Sequence, residues 1–71
     1  MEQYTNLRGN SPITHYQIES DRIIVWFKGG KSYTYSYGGA GKSHVETMKS
    51  LARSGSGLSA YITISVKFDY D

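Results

Sequence analysis

Two strand-like runs meet across a glycine pair between Arg22 and Tyr37, and this pattern predicts a β-hairpin. Gly29 and Gly30 supply the positive φ angles that a two-residue primed turn requires. In that register Ile23, Val25 and Phe27 share one face with Ser32, Thr34 and Ser36, while Ile24 and Trp26 share the other with Tyr33, Tyr35 and Tyr37. A three-residue loop with a bulge would instead place tyrosines opposite Val25 and Ile23, and the sequence leaves both registers open.

The segments on either side of the hairpin predict one more strand and a helix. Residues 13–18 contain three apolar positions and precede a polar turn, which indicates a first strand. Helical spacing of Val45, Met48, Leu51 and Ala52 predicts a helix from about Ser43 to Ser54. Ser43 and Glu46 fit a capping box at its start, and Gly55 fits a left-handed cap at its end.

Apolar and polar residues alternate along the last run, residues 58–70, which predicts a final strand. The predicted order is therefore β-β-β-α-β. This order indicates an α+β fold with a small antiparallel sheet, either open or strongly curled, and one helix packed on the face that holds Val25 and Phe27. We expect a single domain over residues 12–70, preceded by a flexible lead-in over residues 1–11.

Composition narrows the class of protein further. The chain has 71 residues and no cysteine, so it forms one small domain without disulfides or thiolate metal sites. No apolar run is long enough to span a bilayer, and the start of the chain lacks a signal-peptide pattern. We therefore expect a soluble cytoplasmic protein with no cofactor and no bound metal.

No motif in the sequence indicates catalysis. The Gly41-Lys42-Ser43 tripeptide imitates the end of a phosphate-binding loop, but Ser36 stands where that motif requires its first glycine. His15 has no sequence partner that would orient it as a base or as a metal ligand. The sequence therefore predicts a protein that is not an enzyme.

Basic residues concentrate in the middle of the chain. Seven lysines and arginines lie between Arg22 and Lys67, and Glu46 is the single acid in that segment. The other acids lie near the two ends. Basic residues interleaved with aromatic residues are typical of a nucleic-acid surface, although solvated lysines on other small domains give a similar pattern.

Several of these features together resemble the KTSC domain, a short module named after the carboxy end of some lysyl-tRNA synthetases. They are Ser11 with Ile13, the Ile23-x-Val25-x-Phe27 strand, Gly30, the Tyr33-x-Tyr35 pair, Val45, Met48, Leu51 and the serine- and glycine-rich segment 54–57. The resemblance covers about residues 11–62 and implies a non-enzymatic domain that binds RNA, known also as a small stand-alone bacterial or phage protein. The sequence departs from the family pattern over residues 58–62, where an aromatic-asparagine segment is usual.

We predict on this basis a small module that binds single-stranded RNA through an aromatic sheet face with a basic rim. Trp26, Tyr33 and Tyr35 form the predicted stacking platform. The complete predicted site is Trp26, Tyr33, Tyr35, Tyr37, Lys28, Lys31, Lys42 and Arg53. The alternative is a protein-interaction module, for example a homodimer, that buries the same tyrosine-rich face.

Overall fold

Four antiparallel strands form one open sheet, and helices follow it along the chain. A computed structural model describes all 71 residues. The sheet order is β1-β2-β3-β4, with no crossover. The elements are β1 (Glu2–Gln3), β2 (Ile13–Glu19), β3 (Arg22–Phe27), β4 (Ser32–Ser36), α1 (Tyr37–Ala40), α2 (Lys42–Ser54), α3 (Leu58–Tyr61) and a π-helical turn (Ile62–Val66). The predicted α+β class is confirmed.

No helix combines the length and the apolar character needed to cross a lipid bilayer.

The turn between β3 and β4 is a three-residue loop. The Phe27 amide donates to the Lys31 carbonyl at 2.8 Å, and the Gly30 amide donates back to the Phe27 carbonyl at 3.1 Å. Lys28, Gly29 and Gly30 therefore form the loop, and both glycines have φ near +90°, at 93° and 90°. The predicted two-residue turn is wrong, and the three-residue alternative is confirmed.

This loop length decides which side chains share a face. Ile23 pairs with Tyr35 and Val25 pairs with Tyr33, so the tyrosines lie on the same face as the buried residues of β3. Side chains alternate between faces with a period of two, and a shift of one residue moves a whole set across the sheet. The predicted face assignment of the tyrosines is therefore wrong.

A single hydrophobic core lies between this inner face of the sheet and the helices. Its buried members are Tyr4, Ile13, Tyr16, Ile23, Val25, Tyr35, Ala40, Val45, Met48, Ala52, Leu58, Ile62 and Val66. The stripe predicted for α2 is largely buried, since Val45, Met48 and Ala52 are core residues and Leu51 packs against them. The helix covers the face of Val25, as the sequence predicted.

The two ends of α2 are built differently from each other. Gly41 precedes the helix and no side chain caps it, so the predicted capping box of Ser43 and Glu46 is wrong. Glu46 instead accepts a hydrogen bond from the Tyr37 hydroxyl. The carboxy end matches the prediction, because Gly55 adopts a left-handed φ of 78° and its amide donates to carbonyls of the last turn.

The last apolar run is helical, so the predicted final strand is wrong. Leu58, Ile62 and Val66 are buried, whereas Ile64 is 84% exposed and Phe68 is 78% exposed. Apolar residues at every second position also fill every fourth position, which is close to one helical turn. The alternating pattern therefore supplies a buried helical stripe. Leu58, Ile62 and Val66 of this stripe belong to the hydrophobic core of the domain.

The first residues of the chain pack against the domain that was predicted to begin after them. Glu2 and Gln3 pair with β2 as a fourth strand. Tyr4 is 4% exposed, and its hydroxyl accepts a 3.4 Å hydrogen bond from the Leu58 amide. Residues 1–11, predicted as a lead-in, thus contribute a strand and a core side chain.

We predict that valine at Gly29 or Gly30 destabilises the protein by about 1 kcal/mol or more, because a β-branched residue resists positive φ. A Cβ at either glycine meets no atom within 4 Å, so the backbone angle alone causes the loss. Thermal melting measures the effect. Asparagine at Gly30 should cost less, since it tolerates positive φ better, and equal stability of the valine and asparagine variants would contradict the prediction.

A second prediction separates the helical last segment from a strand. Val66→Ala should cost about 2 kcal/mol, because it removes two buried methyl groups and leaves a cavity. Ile64→Ala should change the free energy of unfolding by less than about 0.5 kcal/mol, because Ile64 is exposed. Both residues lie on the same face of the predicted strand, so similar losses in chemical denaturation would argue against the helix.

Candidate nucleic-acid interface

The face of the sheet opposite the core, called the outer face here, has no helix against it. Its side chains follow from the strand register, in which His15 pairs with Trp26 and Gln17 pairs with Ile24. Each pair belongs to a row of side chains that crosses the sheet. Gln3 of β1 pairs with His15, Ser32 of β4 pairs with Trp26, and Thr34 of β4 pairs with Ile24. A third row, in which Glu19 pairs with Arg22 and Arg22 pairs with Ser36, follows at the other end of β3. The outer face therefore consists of Gln3, His15, Gln17, Glu19, Arg22, Ile24, Trp26, Ser32, Thr34 and Ser36.

A bulge in β2 brings His15 to this face. The register shifts by one residue between Ile13, opposite Phe27, and His15, opposite Trp26. At the bulge, the Thr14 hydroxyl donates a hydrogen bond to the Trp26 carbonyl of β3 at 3.3 Å. Without the register shift, Ile13 and His15, which are two residues apart, would lie on the same face of the sheet. The bulge thus allows Ile13 to enter the core while His15 lies beside Trp26.

Apolar and hydrogen-bonding side chains alternate on the outer face. Trp26, the only tryptophan in the chain, and Ile24 are half-buried, and neither belongs to the hydrophobic core. His15, Gln17 and Thr34 are half-buried around them. The face therefore offers an aromatic and aliphatic centre to solvent, with donors and acceptors on either side.

Unpaired positive charge lies at the hairpin end of this face. Lys28 lies within the loop and Lys31 directly follows it, opposite the inner-face residue Phe27. Both lysines are exposed and form no ion pair. At the opposite end of β3, the Arg22 Nε donates to the Asp21 carboxylate at 3.0 Å. That hydrogen bond lowers the pKa of Asp21. Of the cations at the two ends of β3, the two lysines of the hairpin are therefore the ones free to meet an anionic ligand.

Tyr33 and Tyr35 do not lie on the outer face. Tyr35 is 2% exposed in the core, and Tyr33 is half-buried on the inner face with its ring centroid 5.7 Å from that of Phe27 and 4.7 Å from that of Tyr70. The predicted platform of Trp26, Tyr33 and Tyr35 is therefore not formed.

The remaining predicted site residues lie in the helical layer. The Tyr37 hydroxyl donates to Glu46 at 2.6 Å, and this hydrogen bond raises the pKa of Tyr37. Lys49 is buried and its ammonium lies 2.8 Å from the Glu46 carboxylate, which lowers the pKa of Glu46. Lys42 and Arg53 are exposed on α2. Of the eight predicted residues, only Trp26 lies on the outer face, and Lys28 and Lys31 lie at the hairpin turn next to it.

The sequence-based site missed His15, Gln17, Ile24 and Thr34. The three-residue loop, considered as an alternative, already places Thr34 beside Ile24 and therefore on the outer face. No sequence signal marked the bulge that aligns His15 with Trp26. No group of three or more histidine, cysteine, aspartate or glutamate side chains is arranged to hold a metal ion.

Comparison with known proteins finds no matching family model, no matching curated protein and no matching solved structure. The resemblance to the KTSC domain therefore stays a prediction from the residues quoted above.

The buried position of Tyr35 predicts its ionisation behaviour. Burial raises the pKa of Tyr35 to about 12, from an ordinary value of 10.0. Since the folded state holds the proton more tightly, Tyr35 contributes stability below pH 10 that is lost as the pH rises through about 12. Ultraviolet titration of the chain and of Tyr35→Phe should differ by one tyrosine ionising near pH 12. If the two titrations differed instead by one tyrosine ionising near the ordinary value of 10.0, the Tyr35 ring would be exposed.

Proposed function

We propose that this chain is a small non-enzymatic module that binds single-stranded RNA on the outer face. The observation that carries the proposal is an uncovered sheet face in which Trp26 lies directly opposite His15, with the unpaired Lys28 and Lys31 at the adjoining hairpin turn. The resemblance to the KTSC domain supports the same class of ligand. The binding surface differs from the predicted tyrosine platform, but its chemistry is the same.

Stacking on Trp26 and His15 supplies the first part of the binding energy. Each ring has a π face, and base-on-aromatic stacking contributes about 1 to 3 kcal/mol per base. Single-stranded RNA exposes its bases to such contacts, whereas a duplex keeps them stacked inside. Two adjacent aromatic rings on an open sheet suit two unpaired nucleotides.

Polar side chains next to Ile24 and lysines at the hairpin turn supply the second part of the binding energy. Gln17 and Thr34 stand on either side of Ile24. The Gln17 amide nitrogen donates to the Glu19 carboxylate at 2.8 Å, so its carbonyl oxygen and the Thr34 hydroxyl are the groups offered to base edges or to the ribose hydroxyl. Lys28 and Lys31 provide two mobile charges for phosphates at the rim. Binding through so few phosphate contacts should weaken with salt by a moderate slope, on the order of 0.7 for each lysine that neutralises a phosphate.

Self-association through the tyrosine-rich face is less well supported. Tyr35 is already buried within the chain, and Tyr33 packs between Phe27 and Tyr70. A dimer on that face would first have to displace the chain's own residues. The outer face requires no such rearrangement.

The test is a titration of labelled oligouridine of about 12 nucleotides, at about 50 mM and about 200 mM salt. Trp26→Ala should weaken binding about 5- to 100-fold, because one stacked base loses its support, and Trp26→Phe should retain most of the affinity. Trp26 fluorescence should fall on binding in the unmodified chain. Full affinity in a folded Trp26→Ala variant would refute the proposal.

Matched lysine variants test the position of the rim. Replacing Lys28 and Lys31 together with alanine should weaken binding and reduce the salt slope, because both phosphate contacts are lost. Lys42→Ala removes one exposed positive charge from α2 and should change little. An equal loss from Lys42→Ala would place the RNA on the helical side, and a stable dimer without RNA affinity at low salt would favour self-association.

A further inference from the structure

A polar cavity of about 420 Å³ lies between two segments that are far apart in the sequence, residues 4–11 and residues 55–60. Only Tyr4 and Ala60 among its ten lining residues are apolar, and no acidic residue lines it. Tyr4 is buried and forms the floor, whereas Arg8 is exposed at the rim. The cavity is separate from the outer face, because no outer-face residue lines it.

Hydrogen bonds hold the two walls of the cavity together. The Leu7 amide donates to the Gly55 carbonyl at 2.8 Å, and the Leu58 amide donates to the Tyr4 hydroxyl at 3.4 Å. A Cβ at Gly55 would lie 2.7 Å from the Thr5 Cβ, so the two segments are in close contact there. The fold therefore forms the cavity before any ligand arrives.

A turn in the first segment places Arg8 at the rim. The Gly9 amide donates to the Asn6 carbonyl at 2.9 Å, which leaves Leu7 and Arg8 at the tip. Asn6 has a left-handed φ of 55°, and such an angle in a residue other than glycine persists only where the surroundings hold it. The Asn6 side chain donates to the Ser11 carbonyl at 3.3 Å and accepts from the Ser11 amide at 3.1 Å. These bonds fix the turn that carries Arg8.

Several donors of the cavity have no partner within the chain. The Arg8 guanidinium forms no ion pair and no hydrogen bond, and the side chains of Asn10, Ser56 and Ser59 form no hydrogen bond either. The backbone amides of Ser56 and Gly57 likewise donate no hydrogen bond. A ligand could engage all of these groups without breaking a bond inside the protein.

This set of donors suits a phosphate group. A guanidinium presents a planar fork of N–H donors that binds two phosphate oxygens at once. The amides of Ser56 and Gly57 add two donors, and the cavity has no carboxylate that would repel a dianion. Arg8 is the single charged residue in the lining, so the site selects for negative charge.

The rest of the cavity suits a sugar better than a nucleobase. Its volume exceeds what a bare phosphate ion fills, and lies in the range of small-molecule sites, about 300 to 1,000 Å³. The side chains of Asn10, Ser56 and Ser59 can each donate to a sugar hydroxyl and accept from it. A base would need an exposed aromatic face, and the one aromatic lining residue, Tyr4, is 4% exposed.

We propose that this cavity binds a small phosphorylated sugar. The phosphate lies between Arg8 and the amides of Ser56 and Gly57, and the sugar hydroxyls contact Asn10 and Ser59. Such a ligand bridges both walls and stabilises the folded chain, since it binds the folded state only. The site does not depend on RNA binding at the outer face.

The probe is ribose 5-phosphate, followed by amide nitrogen–proton correlation spectra of the full chain. The signals of Ser56 and Gly57 should shift to saturation, while those of Lys28 and Lys31 at the hairpin turn should stay in place. Ribose should bind at least about tenfold more weakly, because it lacks the charge-assisted hydrogen bonds of the phosphate. Inorganic phosphate should also bind more weakly, because it makes no contact through sugar hydroxyls.

Two arginines allow a matched comparison. Arg8→Ala should weaken the binding of ribose 5-phosphate at least about tenfold, because the charged fork is lost. Arg53 is also exposed and free of ion pairs but lies outside the cavity, so Arg53→Ala should change the affinity by less than about twofold. Arg8→Lys should give an intermediate affinity, since lysine keeps the charge without the fork.

Two further measurements separate the parts of the proposal. Ser59→Ala should weaken the binding of ribose 5-phosphate and leave the affinity for inorganic phosphate unchanged, because Ser59 contacts the sugar only. Arg8→Ala should bind oligouridine as tightly as the unmodified chain, since Arg8 is not part of the outer face. Loss of RNA binding alone would therefore refute the proposed function and not the sugar-phosphate site.

Four results would overturn the inference. One is the absence of a saturable shift with ribose 5-phosphate in the millimolar range. Equal losses from folded Arg8→Ala and Arg53→Ala would show a general attraction of charge. Equal affinity for inorganic phosphate and ribose 5-phosphate would show that the cavity does not recognise the sugar. Shifts at Lys28 and Lys31 in place of Ser56 and Gly57 would put the ligand at the hairpin turn.

Discussion

The three-residue loop between β3 and β4 is the constraint on which the rest of this structure depends. Its two glycines, with φ of 93° and 90°, allow Phe27 to pair with Lys31. That pairing directs Tyr33 and Tyr35 toward the core and leaves Trp26 on the outer face. A loop one residue shorter would move Tyr33 and Tyr35 to the outer face and Thr34 to the inner face. The tyrosine rings would then face solvent instead of the core.

The core on the inner face draws its apolar residues from almost the whole length of the chain. Tyr4 from the first strand region and Val66 from the last helical segment both enter one core, so the ends of the chain are needed to close it. A domain of 71 residues has little stability to spare, and each large buried side chain carries a substantial share of it. Such a core covers one side of the sheet only.

The proposed RNA-binding surface is the part of the sheet that the helices do not cover. On the outer face Trp26 lies opposite His15, and both rings are half-buried outside the core. This face suits stacked bases because its rings are not enclosed by other side chains of the core.

Local signals in the sequence determined the first strand, the hairpin, and the helix from about Ser43 to Ser54 with its glycine cap. These features depend on neighbours within a few residues, and the structure contains them. Tertiary packing alone decided the faces of β4, the bulge before His15 and the helical state of residues 58–66. The reason is that a one-residue register shift leaves the local pattern unchanged, and alternation at every second residue also satisfies a spacing of four, so only the core into which Leu58, Ile62 and Val66 fit distinguishes the possibilities.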